Sequence, residues 1–199
     1  MLKNLILLIF LINFWSDSKL SKDNIYFDIV HNEKVIGNLK ATRTITDSKI
    51  HYQSSTTIKT KIIKDIRVNY KYDVTFKAEV LEKSNVNITV NENPHAKTVT
   101  EWEDDSYQVI KNGKNENIIN DSITYSTVQM YFKEPININT CYSEQNGSFN
   151  TIIAMGNHTY KKINAKGNEN IYYYNLGILK KATIDGGLIT FEIVASNKH

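Results

Sequence analysis

Between residues 66 and 76 apolar and polar side chains alternate without a break. Ile66, Val68, Tyr70, Tyr72, Val74 and Phe76 fall on one face; Arg67, Asn69, Lys71, Asp73 and Thr75 fall on the other. A period of two is that of a half-buried strand, since a helix would scatter these residues round its circumference. The same period recurs along the chain. Ile25, Phe27 and Ile29 alternate with Tyr26 and Asp28, a polar turn follows at 31–34, and Val35, Gly37, Leu39 and Ala41 continue on one face, which predicts a hairpin. Residues 50–62 predict a long, half-exposed strand rich in Thr and Ser, and 80–90 another. Segments 97–102 and 107–110 bracket the acidic turn Glu103-Asp104-Asp105, and Asn112-Gly113 signals a tight primed turn. Short extended pieces are expected at 140–143 and 148–154. Four strands then follow in quick succession at 158–164, 170–175, 178–184 and 188–195. This rhythm of short strands and turns predicts antiparallel meander connectivity.

One segment departs from the alternation. In 121–133, Tyr125, Val128 and Phe132 share a helical face, Asp121 stands where an N-cap would, and Pro135 keeps Glu134 out of the helical region. A short helix is expected here, with its apolar stripe packed on the sheet. The fold class is therefore mainly β: a single strongly curved antiparallel sheet, or open β-barrel, with one short helix.

The first residues, MLKNLILLIFLINFWS, combine a positive charge at Lys3 with an apolar run from Leu5 to Phe14. The run has the length of an export-signal core and is shorter than the ~20 residues of a membrane-spanning helix. Residues 1–18 are read as an export signal without a clear cleavage site, and 24–196 as a single all-β domain. The protein is thus expected outside the cytoplasm, periplasmic or secreted, with no transmembrane segment in the mature chain.

Composition narrows the function classes. The net charge of +3 comes from interspersed lysines and carboxylates, which gives no stripe for nucleic acid. With 2 prolines and 8 glycines, turns must rest mainly on Asn, Asp and Ser. A lone cysteine, Cys141, excludes an intrachain disulfide. The five histidines have no zinc-ligand spacing, no phosphate-binding or nucleophile-elbow motif occurs, and the carboxylates at 101–105 mark a turn. No catalytic residue, metal site or cofactor is expected. Tyrosine, with 12 residues, is the notable excess. Tyrosine suits a strand apolar on one side and wet at its tip, so an aromatic-lined cavity within the curved sheet is the functional reading beside ordinary sheet packing. Tyr70, Tyr72, Phe76, Trp102, Phe132 and Tyr173 are its candidate residues.

Four pieces resemble a family of uncharacterised exported proteins common in Bacteroidota-type bacteria. They are Ile25-Tyr26-Phe27-Asp28-Ile29-Val30 leading to Val35-Ile36-Gly37; the strand 68–76; Met130-Tyr131-Phe132-Lys133-Glu134-Pro135 with Tyr142-Ser143-Glu144; and Tyr172-Tyr173-Tyr174 through Gly177-Ile178-Leu179. The family has a glycine after the aromatic strand where this chain has Lys77-Ala78-Glu79. The resemblance implies a layout similar to the open barrels of periplasmic lipoprotein carriers, with residues 121–133 as the plug, and carries over no activity.

These readings order three hypotheses. The first is a non-enzymatic extracytoplasmic protein whose curved sheet holds a lipid or another hydrophobic or amphipathic ligand. The second is a structural or interaction module whose partner is another envelope protein. The third is a hydrolase, for which Tyr142, Ser143, Glu144 and a histidine would have to meet in a cleft.

Overall fold

A computed structural model describes residues 20–60, 66–186 and 189–196. The export signal read at 1–18 lies outside the described residues.

Among the described residues, fourteen antiparallel strands form one sheet. They are β1 (Ser21–His31), β2 (Lys34–Ile45), β3 (Lys49–Thr60), β4 (Ile66–Lys77), β5 (Val80–Val90), β6 (Asn93–Glu103), β7 (Ser106–Lys111), β8 (Lys114–Ile119), β9 (Thr140–Ser143), β10 (Ser148–Gly156), β11 (Thr159–Ile163), β12 (Glu169–Asn175), β13 (Ile178–Asp185) and β14 (Thr190–Ala195). Two meanders, β1 to β8 and β9 to β14, are joined where β1 pairs with β14 at Ile29 and Ile193. β8 and β9 are the two edges, so the sheet is open.

The sheet is also tightly curled. β6 and β9 stand eleven positions apart in the strand order. At about 4.8 Å per strand, a flat sheet would separate them by roughly 50 Å. Yet the Tyr142 hydroxyl of β9 lies 2.7 Å from the Thr100 hydroxyl of β6, and Thr98 donates to the Gln145 carbonyl at 2.8 Å. The β9–β10 end is thus rolled onto the inner face of β4–β7.

The hairpins turn through residues of positive φ, as right-handed strand twist requires. Asn32-Glu33, Asn91-Glu92, Asn112-Gly113 and Asn157-His158 are such pairs. At the turn where the resembled family has glycine, Ala78 and Glu79 themselves take φ of 47° and 65°. Left-handed conformations cost L-residues about 1 kcal/mol or more each, so the β4–β5 pairing on either side must hold this turn. At Gly37 the constraint is contact, because a Cβ there would stand 2.1 Å from the Thr57 carbonyl oxygen of β3.

The segment between β8 and β9 straps the roll together. The Leu81 N–H of β5 donates to the Ile123 carbonyl at 2.8 Å, and the Tyr142 N–H of β9 to the Tyr125 carbonyl at 2.9 Å. The helix expected over 121–133 is only a 3-10 turn, Thr127–Tyr131. Ser126 rather than Asp121 stands at its cap, with its N–H bonded to the Gln129 side chain at 2.8 Å. The physical reason lies in the strap: Ile123 and Tyr125 are buried in extended backbone that hydrogen-bonds sideways, which leaves no room for a longer helix. Among the described residues no helix is long and apolar enough to cross a membrane.

Two apolar clusters lie inside the roll. One gathers Phe76, Leu81, Tyr107, Val109, Ile123, Val128 and Tyr142 under β4–β7. The other gathers Phe27, Ile29, Leu39, Tyr125, Tyr172, Leu179 and Ile193 under β1, β2 and β12–β14.

Candidate functional site

Beside the second of these clusters the roll is hollow. A cavity of about 560 Å³ lies between the inner faces of β1–β4 and β14 and those of β9–β12, which is the size range of small-molecule sites. Its two walls differ. Ile29, Leu39, Ile58, Ile184, Phe191 and Ile193 make one wall apolar; Ser143, Ser148, Asn150, Lys162, Asn164 and Asn170 make the other polar. Tyr70, Tyr72, Tyr131 and Tyr172 lie between. The Tyr72 hydroxyl donates to Gln145 at 3.1 Å, which fixes that ring on the rolled-in β9–β10 turn.

Lys162 is the unusual member. On β11 the inward positions are Tyr160 and Lys162, and register sets Lys162 between Ile152 of β10 and Asn170 of β12. The residue is 7% exposed. Its Nζ donates to the Thr127 hydroxyl at 3.3 Å and stands 5.8 Å over the Tyr172 ring. Among the described residues it forms no direct ion pair with a carboxylate. Burial opposes its charge, but Tyr172, Cys141 and Glu144 around it favour the ammonium, and its pKa lies above the ordinary lysine value. Asn150 on β10 is also buried, and among the described residues its Oδ1 has no hydrogen-bond partner.

Behind this wall Glu144 is completely buried. Its carboxylate accepts the Thr127 and Val128 N–H groups at 3.2 and 3.0 Å, capping the 3-10 turn. Burial raises its pKa, opposed by those N–H bonds and by the Lys162 charge. Burial likewise pushes the Cys141 thiol up to about 12, so the sulfur stays protonated and unreactive near neutral pH.

Of the six residues singled out by sequence, only Tyr70 and Tyr72 line this cavity. Phe76 is buried in the filled cluster, edge-on to Tyr52. Phe132 packs against Tyr52, under the Arg43 guanidinium. Trp102 shares the inner face but sits at the strand end, 41% exposed and edge-on to Tyr107. Tyr173 points outward under Lys181, because strand parity sends its neighbours Tyr172 and Tyr174 inward. Sequence reasoning passed over Tyr172 and Lys162. Period two carried across β11 would have found Lys162, two residues beyond the inward Tyr160.

The remaining titratable groups are dispersed. Glu134 accepts from the Tyr160 hydroxyl at 2.7 Å and lies 2.9 Å from His158 Nδ1. His51 meets Asp73 at 2.7 Å, and His31 meets the Thr190 carbonyl at 2.8 Å. Ser143 accepts the Asn146 N–H at 3.3 Å. Glu144 is engaged with the backbone, so Tyr142, Ser143 and Glu144 share no relay with a histidine among the described residues. Nor do three or more His, Cys, Asp or Glu side chains cluster there as a metal site.

Residues 27–196 match the family model described as "Domain of unknown function (DUF6134)". A comparison with curated proteins finds no match. Among solved structures, the chain is similar to a β-barrel-like protein of the domain of unknown function DUF1849 from Brucella abortus. The identity is 11% and the TM-score 0.49, with 90% of this chain and 97% of that one covered.

Proposed function

The chain belongs to the DUF6134 family, and we propose that it is a non-enzymatic, extracytoplasmic protein that binds a hydrophobic or amphipathic ligand inside the rolled sheet. The observation that carries this reading is the cavity itself. A 14-stranded sheet with two apolar clusters has ample side chains to fill its interior, yet about 560 Å³ stays open. Protein interiors are ordinarily packed to crystal density, with few voids larger than a water molecule. A void of this size with one apolar and one polar wall suits a molecule with two such ends. Export is supported by the sequence of residues 1–18 alone.

Native mass spectrometry of the protein purified from its own cells tests the reading. A co-purifying species of defined mass, lost when Ile58→Trp fills the cavity, is expected. Ligand-free protein in every preparation, with no probe bound, would count against it.

A module that docks on another envelope protein is the second reading. It is favoured by exposed apolar side chains on the outer face, Ile153 and Met155 of β10 and Ile178 of β13. A cross-linked envelope partner that disappears in Ile153→Ser with Met155→Ser would support it.

A further inference from the structure

The cavity is charged as well as hollow, and among the described residues positive charge predominates in its lining. Lys111, Lys162 and Lys166 line it, against the single carboxylate of Asp185. Asp185 is itself held by the Asn168 side chain at 2.6 Å. Lys111 closes β7 and Lys166 stands in the β11–β12 turn, so both frame the rim, whereas Lys162 sits inside. An ammonium has three donors. The neutral neighbours of Lys162 are the Thr127 hydroxyl, at a long 3.3 Å, and the Tyr172 phenol. Donor capacity therefore remains on a buried cation that, among the described residues, has no carboxylate in direct contact.

Glu144 nearby helps to hold the ammonium charged, but buried N–H donors without acceptors are unfavourable, and an anion or strong acceptors would complete their shell. Glu144 cannot serve as the direct partner, because its two oxygens face the Thr127 and Val128 N–H groups. Asn150 is the independent second sign. Among the described residues its buried carboxamide oxygen is unpaired, the mark of a place that water or a ligand completes; beside an anionic head a bridging water would donate to that oxygen, or the amide would flip and present its NH2 donor.

Resting on the ligand-binding reading above, we infer that the occupant is an anionic amphiphile, with a carboxylate or phosphate head against Lys162 and an aliphatic or aromatic body against Ile29, Leu39, Ile58 and Ile193. The lysine rim draws such a head inward, and the apolar wall supplies the area that its tail buries. A cationic amphiphile would meet Lys162 as a like charge.

The test is calorimetric titration of the mature protein with decanoate, decyl phosphate, decanol and decylamine, each below its aggregation limit. Decanoate or decyl phosphate is expected to bind saturably, roughly ten- to hundredfold more tightly than decanol, the size of a charge-assisted contact. The better of the two anions identifies the head group. Decylamine is expected not to bind. Lys162→Met should bring the anion down to the affinity of decanol, while Lys162→Arg keeps most of the preference. Unfolding of both variants by urea establishes that they fold.

Equal affinity for decanoate, decyl phosphate and decanol would overturn the inference and leave the ligand-binding reading standing. So would an anion preference that survives in Lys162→Met. Binding of none of the four probes would overturn both.

Discussion

β4 runs through two different interiors. Its second half sets Val74 and Phe76 in one buried cluster with Ile123, Val128 and Tyr142. Its first half sets Tyr70 and Tyr72 against the void. The alternation is the same in both halves, so the difference comes from what lies opposite. The strap delivers Ile123 and Val128 to the filled end. Across the cavity, β10 and β11 turn Asn150 and Lys162 inward at positions of the parity that elsewhere carries Ile or Tyr. The hollow is therefore the consequence of polar residues at inward positions, and of the rolled sheet's failure to bring an apolar plug to them.

This contrast fixes where truncation should hurt most. Phe76→Ala removes a ring that is 1% exposed within a filled cluster and is expected to lower stability by about 4 kcal/mol, transfer and cavity terms together. Tyr70→Ala, at the edge of an existing void, should cost roughly 1 kcal/mol. The urea midpoint at unchanged m measures both. Equal losses would mean that the two ends are packed alike.

Glu144 stands behind the polar wall of the cavity, against the 3-10 turn. Glu144→Ala leaves two backbone N–H groups without their acceptor and should cost about 3 kcal/mol. The pH dependence carries a definite sign. Burial raises the folded pKa of Glu144 above its ordinary 4.5. Between those two pKa values the folded state holds more protons than the unfolded one, so this residue's contribution to stability declines as pH rises through that window. Denaturation at a series of pH values from about 4 to about 8 should show that decline in the natural chain and a flatter profile in Glu144→Gln. An unchanged slope would show that the carboxyl titrates normally despite its burial.

Much of this fold was legible because alternation is a local signal. Strands 66–76, 80–90 and the last four segments appear where period two places them, and the antiparallel order follows from the short turns between them. The roll was legible only as curvature, since the contact of Tyr142 with Thr100 depends on eleven strand pairings accumulating twist. The site was harder to read. Tyr172-Tyr173-Tyr174 has no polar member to mark the outward position, so parity within the triplet had to come from β11 and β13. Lys161-Lys162 reads as a solvated pair, yet Lys161 bridges to Glu169 outside while Lys162 is enclosed. In 121–133 the helical stripe was real as a set of inward residues, with Tyr125 and Val128 buried and Phe132 half-buried, but backbone bonds to Leu81 and Tyr142 held its first half extended.

A smaller effect distinguishes a binding residue from a structural one. With no ligand present, Lys162→Met replaces a buried ammonium by an apolar chain of similar length; the burial cost that it removes and the favourable surroundings that it gives up offset one another, so stability is expected to change by less than about 1 kcal/mol. A loss of 3 kcal/mol or more, of the size seen when a buried ion pair is broken, would instead tie Lys162 to Glu144 as structural partners.

The smallest effect belongs to Trp102. It lies directly opposite Tyr107 on β6 and β7, with ring centroids 4.7 Å apart, but its outer part is open to solvent at the strand end. Trp102→Leu should therefore lose little more than the aromatic pair, about 0.5–1 kcal/mol. Trp102 borders the filled end, and the cavity lies toward the opposite end of β4, so titration of this variant with decanoate should match that of the natural chain. If Trp102→Leu weakened decanoate binding while Tyr70→Ala did not, the ligand would sit at the Trp102 end of the roll, and the contrast between a filled and a hollow interior would have to be reversed.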